Sequence, residues 1–298
     1  MGAPSKLCLG GKATNPAQPL SGRTIELKAM EAGMESFAGK VALVTGGSSG
    51  IGKATALAFA KGGANVVIAA RGEQLGTQTV DEITAAGGKA IFVPTDVSKS
   101  ADVERLIART VDAFGRLDYA FNNAANPDGS IGFLADLTDE DFDKSVSINL
   151  KSVWLGMKYQ IRQMLAQEPR GGVIVNTSSA NGLGGCPQAS FYAAAKAGVI
   201  ALSKSAAWEY AQQGVRINAL VPGAFRTPML EGSIDRAAAG DPEATQAVEA
   251  RWNNMIASGR IGDPSEAAAA VLWLCSDASS YVVGHSLIVD GGITALWR

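Results

Sequence analysis

The sequence predicts an open, doubly wound α/β fold, a single domain whose parallel sheet of seven strands is covered by helices on both faces. Three observations predict it. Short segments that are apolar throughout, rather than alternating, recur between residues 41 and 289, as strands buried on both faces require. Segments with helical periodicity separate them, the alternation that a parallel sheet needs. The first strand runs into a dense cluster of Gly and Ser that opens a helix, so a ligand crevice is expected at the strand C-termini.

Taken in order, Val41–Thr45 is the first strand and Ala54–Ala60 lies in the helix after the glycine cluster. Val66–Ala70 is the second strand and Glu73–Ala86 its helix. Ala90–Pro94 is the third strand, closed by Thr95-Asp96-Val97, with a helix over Asp102–Phe114. Leu117–Asn122 is the fourth strand, ending in Asn122-Asn123-Ala124-Ala125. One long helix is expected over Glu140–Ala166, with Val146, Val153, Leu155, Ile161 and Leu165 among its apolar positions. Val173–Thr177 is the fifth strand and runs into Ser178-Ser179. A second long helix covers Ser190–Gln213, Arg216–Val221 is the sixth strand, Pro264–Ser276 a further helix, and Leu287–Val289 the last strand. Ala224–Gly262 breaks the rhythm: about forty residues after a strand C-terminus, with Trp252, Met255 and Ile256 as apolar anchors, where a substrate lid would sit.

Residues 1–33 mix Gly, Pro, Ser and Lys without apolar periodicity and lack the apolar core of a signal peptide. They are expected to be a disordered leader or an extension foreign to the domain, which would then span 34–298, from Met34. Charged residues are 18% and net charge is −2 with no basic run, so neither nucleic acid nor an anionic membrane is an implied partner. No apolar stretch approaches the ~18–20 residues of a membrane helix. Cys8, Cys186 and Cys275 are few and far apart, suiting a reducing cytoplasm and offering no metal-ligand spacing.

The glycine cluster admits three readings. Gly47-x4-Gly52-Lys53 approaches a P-loop, but Ala54 stands where a hydroxyl for Mg²⁺ is needed. Gly46-x-Ser48-x-Gly50 fits a hydrolase nucleophile elbow. That reading would enlist His285, the only histidine, yet one predicted strand alone precedes Ser48; His285 is expected at a loop or strand edge. Third, Thr45-Gly46-x3-Gly50-x-Gly52 resembles the glycine pattern of a dinucleotide-binding loop; the free helix N–H groups and dipole at its end favour a phosphate.

The remaining markers decide among these. Tyr192-x3-Lys196 places a phenol and an ammonium at i and i+4 on one helix face. Ser179 lies thirteen residues upstream at the end of the fifth strand, and Asn149 lies in mid-helix. From about Phe37 to Gly292, the glycine loop, Asp96-Val97, Asn122-Asn123-Ala124, Asn149, Ser179, Tyr192, Lys196, Pro222-Gly223 and Asp290-Gly291-Gly292 resemble the short-chain dehydrogenase/reductase family. Ala125 departs from the usual Gly of that pattern without touching a catalytic position.

The resemblance implies a Rossmann-type sheet and an NAD(P)-dependent oxidoreductase that interconverts a secondary alcohol and a ketone. Tyr192 would be the general acid/base, its phenol pKa lowered by the Lys196 ammonium and by the oxidised cofactor. Ser179 would donate to the developing oxyanion, with Ser178 the competing serine. Asn149 would hold a water in a proton relay behind Lys196, which also reaches the ribose. Gly46, Ser48, Ser49, Gly50, Ile51 and Gly52 would cradle the pyrophosphate. Asp96 and Val97 would meet the adenine, and Asn123 with Ala124 the adjoining ribose or sheet edge. Pro222, Gly223, Phe225 and Thr227 would lie against the nicotinamide. An ordinary helix N-cap is the structural alternative for Asp96.

Ala70 stands where an NAD-preferring site places a carboxylate, and Arg71 follows it. NADP(H) is therefore favoured over NAD(H), although Glu73 is close enough to oppose Arg71 and Ser49 supplies no second cation. Leu183, Cys186, Gln188, Phe225, Met229 and Trp252 are candidate pocket residues, which suits a modest apolar or cyclic alcohol or ketone. A homotetramer or homodimer is implied by the resemblance alone. A regulatory or scaffold protein that binds the dinucleotide without turnover is the alternative from another class.

Overall fold

The computed structural model of the protein describes residues 37–126 and 131–295. The expected leader, 1–33, lies outside the described residues, as do 34–36.

Seven strands form one parallel sheet: β1 (Val41–Thr45), β2 (Asn65–Ala70), β3 (Lys89–Pro94), β4 (Tyr119–Asn122), β5 (Gly172–Thr177), β6 (Val215–Pro222) and β7 (Ser286–Val289). Their spatial order is β3-β2-β1-β4-β5-β6-β7, with every neighbouring pair parallel. The direction of winding reverses between β1 and β4, so the crevice opens at the C-terminal ends of those strands. β1 is buried at all five positions and β6 at seven of eight, which is why both read as unbroken apolar runs.

Nine α-helices occur among the described residues: α1 (Gly50–Lys61), α2 (Glu73–Ala85), α3 (Ser100–Phe114), α4 (Asp139–Val146), α5 (Ser152–Ala166), α6 (Ser190–Tyr210), α7 (Pro228–Ala238), α8 (Pro242–Met255) and α9 (Pro264–Cys275). On one face of the sheet, Val44, Val66, Ile68 and Phe121 pack with Phe59 of α1, Ile83 of α2 and Val271 of α9. On the other, Leu43, Val67 and Ile174 pack with Leu106 of α3, Met157 and Ile161 of α5 and Val199 of α6. No helix among the described residues is long and apolar enough to cross a membrane.

One expected element is corrected. Glu140–Ala166 is not a continuous helix: α4 ends at Val146, a π-turn spans Ser147–Lys151, and α5 begins at Ser152. Apolar periodicity cannot reveal a one-residue change in hydrogen-bond spacing, so the sequence reads straight through it. The turn carries Asn149, which is 1% exposed. Elsewhere the boundaries shift by one or two residues, and the predicted helix over Ser190–Gln213 closes with a 3₁₀ turn at Ala211–Gln213.

The segment after β6 is a helical pair with a core of its own. Pro228 at the first position and a Thr227 hydroxyl that accepts from Leu230 N–H start α7, and Asp241 caps α8. Leu230, Ile234, Ile256 and Ile261 are buried together between them. Its two ends are tied at the base: Arg226 N–H donates to the Gly262 carbonyl at 2.8 Å, and Gly262 N–H to that of Ala224 at 3.0 Å.

Candidate active site

A cleft of about 680 Å³ runs along the C-terminal ends of the strands, within the roughly 300–1,000 Å³ typical of ligand sites. It starts at the glycine loop. Gly46 adopts φ +66° and Gly50 φ +51°, conformations that side chains with a Cβ rarely take. A Cβ on Gly52 would stand 2.2 Å from the Gly46 carbonyl oxygen and 2.7 Å from Asn123 Nδ2. Gly52 therefore does not face the cleft as its motif position suggested; it lets α1 press against the loop from behind. Ser49 is the N-cap of α1 and makes no side-chain capping bond, so the first-turn N–H groups are left for an anion. Lys53 points elsewhere, its Nζ 2.7 Å from Glu82, which removes the P-loop reading.

Gly46, Ser48, Ser49, Gly50 and Ile51 line the cleft, as do Arg71, Asp96, Val97, Asn123 and Ala124. The N-cap alternative for Asp96 does not hold, since Lys99 occupies that position of α3. Its carboxylate instead accepts from Ser98 N–H at 3.1 Å and Ser98 Oγ at 2.7 Å. Burial works against its charge, but these bonds and the nearby Lys99 ammonium outweigh it and lower its pKa. Thr45 Oγ1 accepts from the N–H groups of Asn123 and Ala124 at 3.0 and 3.1 Å, fixing the end of β4 against β1. Thr45 was legible as part of the glycine motif, but its partner across the sheet was not.

The far wall brings Ser179, Tyr192 and Lys196 together with Pro222, Gly223, Phe225 and Thr227. Lys196 is 1% exposed, and its Nζ donates to the Thr177 carbonyl at 2.9 Å. It lies 5.7 Å from the centroid of the Tyr192 ring. Burial pulls its pKa down to about 8. For Tyr192 the protein by itself acts against the lowering expected from Lys196 and an oxidised cofactor. Burial of the phenol, which penalises the phenolate, raises its pKa; the neighbouring Ser179 hydroxyl acts the other way and is outweighed.

The two serines separate cleanly. Ser178 is 1% exposed and its hydroxyl donates to the Lys196 carbonyl at 2.8 Å, bracing β5 against α6. Ser179 Oγ accepts from Asn181 N–H at 3.2 Å and bears on the Tyr192 phenol. Asn149 does not reach the cleft wall. Its Oδ1 accepts from Asn126 N–H and its Nδ2 donates to the Asn126 carbonyl, both at 3.2 Å. The side chain is thus spent on holding the segment after β4, and nothing in the sequence marked Asn126 as its partner.

Among the candidate pocket residues, Cys186, Phe225, Met229 and Trp252 line the cleft. Leu183 and Gln188 do not: Leu183 is exposed, and Gln188, at φ +65°, uses its carbonyl to accept from Gly132 N–H. Ile131, Ile148, Asn181, Ser233 and Arg236 join the wall without a signal in the sequence. His285 is exposed just before β7, outside the cleft, and its N–H donates to Asn218 Oδ1. The hydrolase reading falls with it.

The cleft suits a dinucleotide on its own evidence. Besides Arg236, its charged lining is Arg71 and Lys196 against Asp96, a balance that favours an anion. Thr177 Oγ1, buried at the deep end, has no hydrogen-bond partner, and the glycine cradle offers close backbone approach.

The comparisons agree. Residues 46–294 match the family model described as Enoyl-(Acyl carrier protein) reductase. The chain is 43% identical over 263 residues, 88% of its length and 100% of the relative's, to 2,5-dichloro-2,5-cyclohexadiene-1,4-diol dehydrogenase of Sphingobium indicum. A crystal structure of levodione reductase superimposes with TM-score 0.82 at 38% identity, covering 88% of this chain and 100% of that one. An actinorhodin polyketide ketoreductase variant with NADPH gives TM-score 0.81 at 33% identity, over 86% and 98% of the two chains.

Proposed function

The chain belongs to the short-chain dehydrogenase/reductase family, and from that premise we propose that it interconverts a secondary alcohol and a ketone on a cyclic, largely apolar substrate. The observation that carries the reading is the convergence of Ser179, Tyr192 and Lys196 on one wall of a cleft whose other end is the glycine loop at the start of α1. A bound nicotinamide dinucleotide supplies the hydride donor or acceptor. Ser48, Ser49, Gly50 and Ile51 hold its pyrophosphate, Asp96 and Val97 its adenine end, and Pro222, Gly223, Phe225 and Thr227 its nicotinamide end.

The residues then divide the work. The Ser179 hydroxyl donates to the substrate oxygen and favours the negative charge that develops there. Tyr192 gives that oxygen a proton in ketone reduction and takes one in alcohol oxidation. Its raised pKa keeps the phenol protonated at neutral pH, the state that reduction needs. Lys196 places a cation beneath the ring, favours phenolate once a proton leaves, and orients the ribose. Asn149 acts through Asn126, and a water held near the π-turn would extend the proton path behind Lys196. The α7–α8 pair covers the substrate end as a lid through Met229 and Trp252.

Arg71, exposed beside the adenine end with Ala70 in place of a carboxylate, supports a preference for NADP(H) over NAD(H). A homodimer or homotetramer in the cytoplasm fits the family resemblance, and the wide exposure of Trp208 and Tyr281 supports an interface.

Reduced-nicotinamide absorbance against a panel of cyclic and aliphatic alcohols and ketones tests the reaction. Turnover is expected with cyclic members, and Tyr192→Phe is expected to lower it at least a hundredfold with dinucleotide affinity changed less than threefold. Tight dinucleotide binding without turnover on any panel member would favour the regulatory or scaffold role instead.

A further inference from the structure

The substrate end of the cleft contains one carboxamide that the fold does not use. Asn181 lines the cleft two residues after Ser179 and is partly buried. Its backbone N–H donates to Ser179 Oγ at 3.2 Å, so the residue is tied to the hydroxyl that would meet the reacting oxygen. Its side chain makes no hydrogen bond among the described residues. Asn123, at the glycine-loop end of the cleft, spends its Nδ2 on the Thr45 carbonyl. The same cleft is lined by the apolar side chains of Ile131, Ile148, Ala189, Met229 and Trp252, with Ser233 and Arg236 among its polar ones.

Chain geometry limits how far this carboxamide lies from the reacting position. The bonded N–H sits about 1.5 Å from the Asn181 Cα, which keeps the side-chain amide within roughly 8 Å of the Ser179 hydroxyl. With a hydrogen bond of about 3 Å at each end, two oxygens on opposite carbons of a six-membered ring can be met within that reach. A carboxamide can donate to a carbonyl or hydroxyl and accept from a hydroxyl. Once a substrate displaces water from it, a ring without a polar atom at that position leaves it unpaired, which costs binding.

Resting on the alcohol–ketone reading above, we infer that Asn181 is a specificity-determining residue that hydrogen-bonds a second oxygen of the substrate, so that the enzyme prefers cyclic diols, hydroxyketones and diones over rings with a single oxygen. The Ser179–Asn181 backbone bond couples the two recognition points: one oxygen is held for reaction while the other fixes the rotation of the ring.

The test compares kcat/KM for cyclohexane-1,4-dione and for cyclohexanone with the same dinucleotide. Wild type is expected to favour the dione, and Asn181→Ala to lower the dione-to-cyclohexanone ratio at least tenfold, chiefly through the KM of the dione. Dione binding to the Tyr192→Phe enzyme, followed by tryptophan fluorescence, is expected to weaken at least tenfold when Asn181→Ala is added, a readout without turnover. Should Asn181→Ala fail to fold, Asn181→Ser carries the same comparison. A ratio within threefold of wild type overturns the role of Asn181 and leaves the reaction standing. A wild type that reduces neither ketone overturns the cyclic-substrate reading and this inference together.

Discussion

Lys196 Nζ donates to the Thr177 carbonyl at 2.9 Å, and that is its one hydrogen bond among the described residues, at 1% exposure. An ammonium has three donors, so this cation is buried with most of its hydration lost and little returned. The pKa of about 8 follows from that burial.

Stability and activity should therefore oppose each other at this position. Below pH 8 both folded and unfolded chains carry the charge, and the folded chain bears the full desolvation cost. Between about 8 and the ordinary lysine range the unfolded chain binds more protons, so this group's contribution to stability rises with pH. Lys196→Met, similar in length and uncharged, is expected to raise the melting temperature by several degrees at pH 6–7, with the advantage shrinking above pH 8. Turnover should fall at least a hundredfold. Thermal melts across pH 6–10 check the first part, and a melting temperature below wild type at pH 6 would contradict it.

The adjacent serines should fail in different ways. Ser178→Ala removes a buried bond to the Lys196 carbonyl, costing about 1 kcal/mol of stability with kcat changed less than threefold. Ser179→Ala leaves stability nearly intact and lowers kcat by roughly 10²–10³. Denaturant unfolding and steady-state rates on both variants test the division; the reverse order of kcat loss would move the oxyanion role to Ser178.

Gly52→Ala should injure dinucleotide binding although Gly52 does not face the cleft. Its Cβ would collide with the Gly46 carbonyl at 2.2 Å, a backbone atom that cannot step aside, so α1 must lift from the loop. Dinucleotide affinity is expected to drop at least tenfold and the melting temperature to fall. Unchanged affinity by calorimetric titration would mean that the loop tolerates the shift.

Arg71→Ala should weaken NADPH at least tenfold and NADH less than threefold, because only the former offers a 2′-phosphate to its planar donors. Titrating both dinucleotides into both proteins measures this. An equal loss for the two would reduce Arg71 to a general electrostatic contributor, and no loss would leave it a solvated loop residue.

Local sequence alone determined the seven-stranded alternation, the glycine loop and the Ser179–Tyr192–Lys196 spacing. Each depends on contacts within one element or one turn: an apolar run, a backbone that only glycine permits, an i, i+4 pair on a helix. The tertiary structure decided what depends on distant partners. It brought Asn149 to the backbone of Asn126 across the π-turn, and it put Gly52 behind Gly46 rather than in the cleft. It separated Ser178 from Ser179 by giving the first a buried carbonyl to bond. It added a burial that raises the Tyr192 pKa in the protein alone, because the desolvation of a phenol is set by everything packed around it. It also left the Asn181 side chain without a partner beside Ser179. A side chain's chemistry is written in its own residue; its solvation and its neighbours belong to the fold.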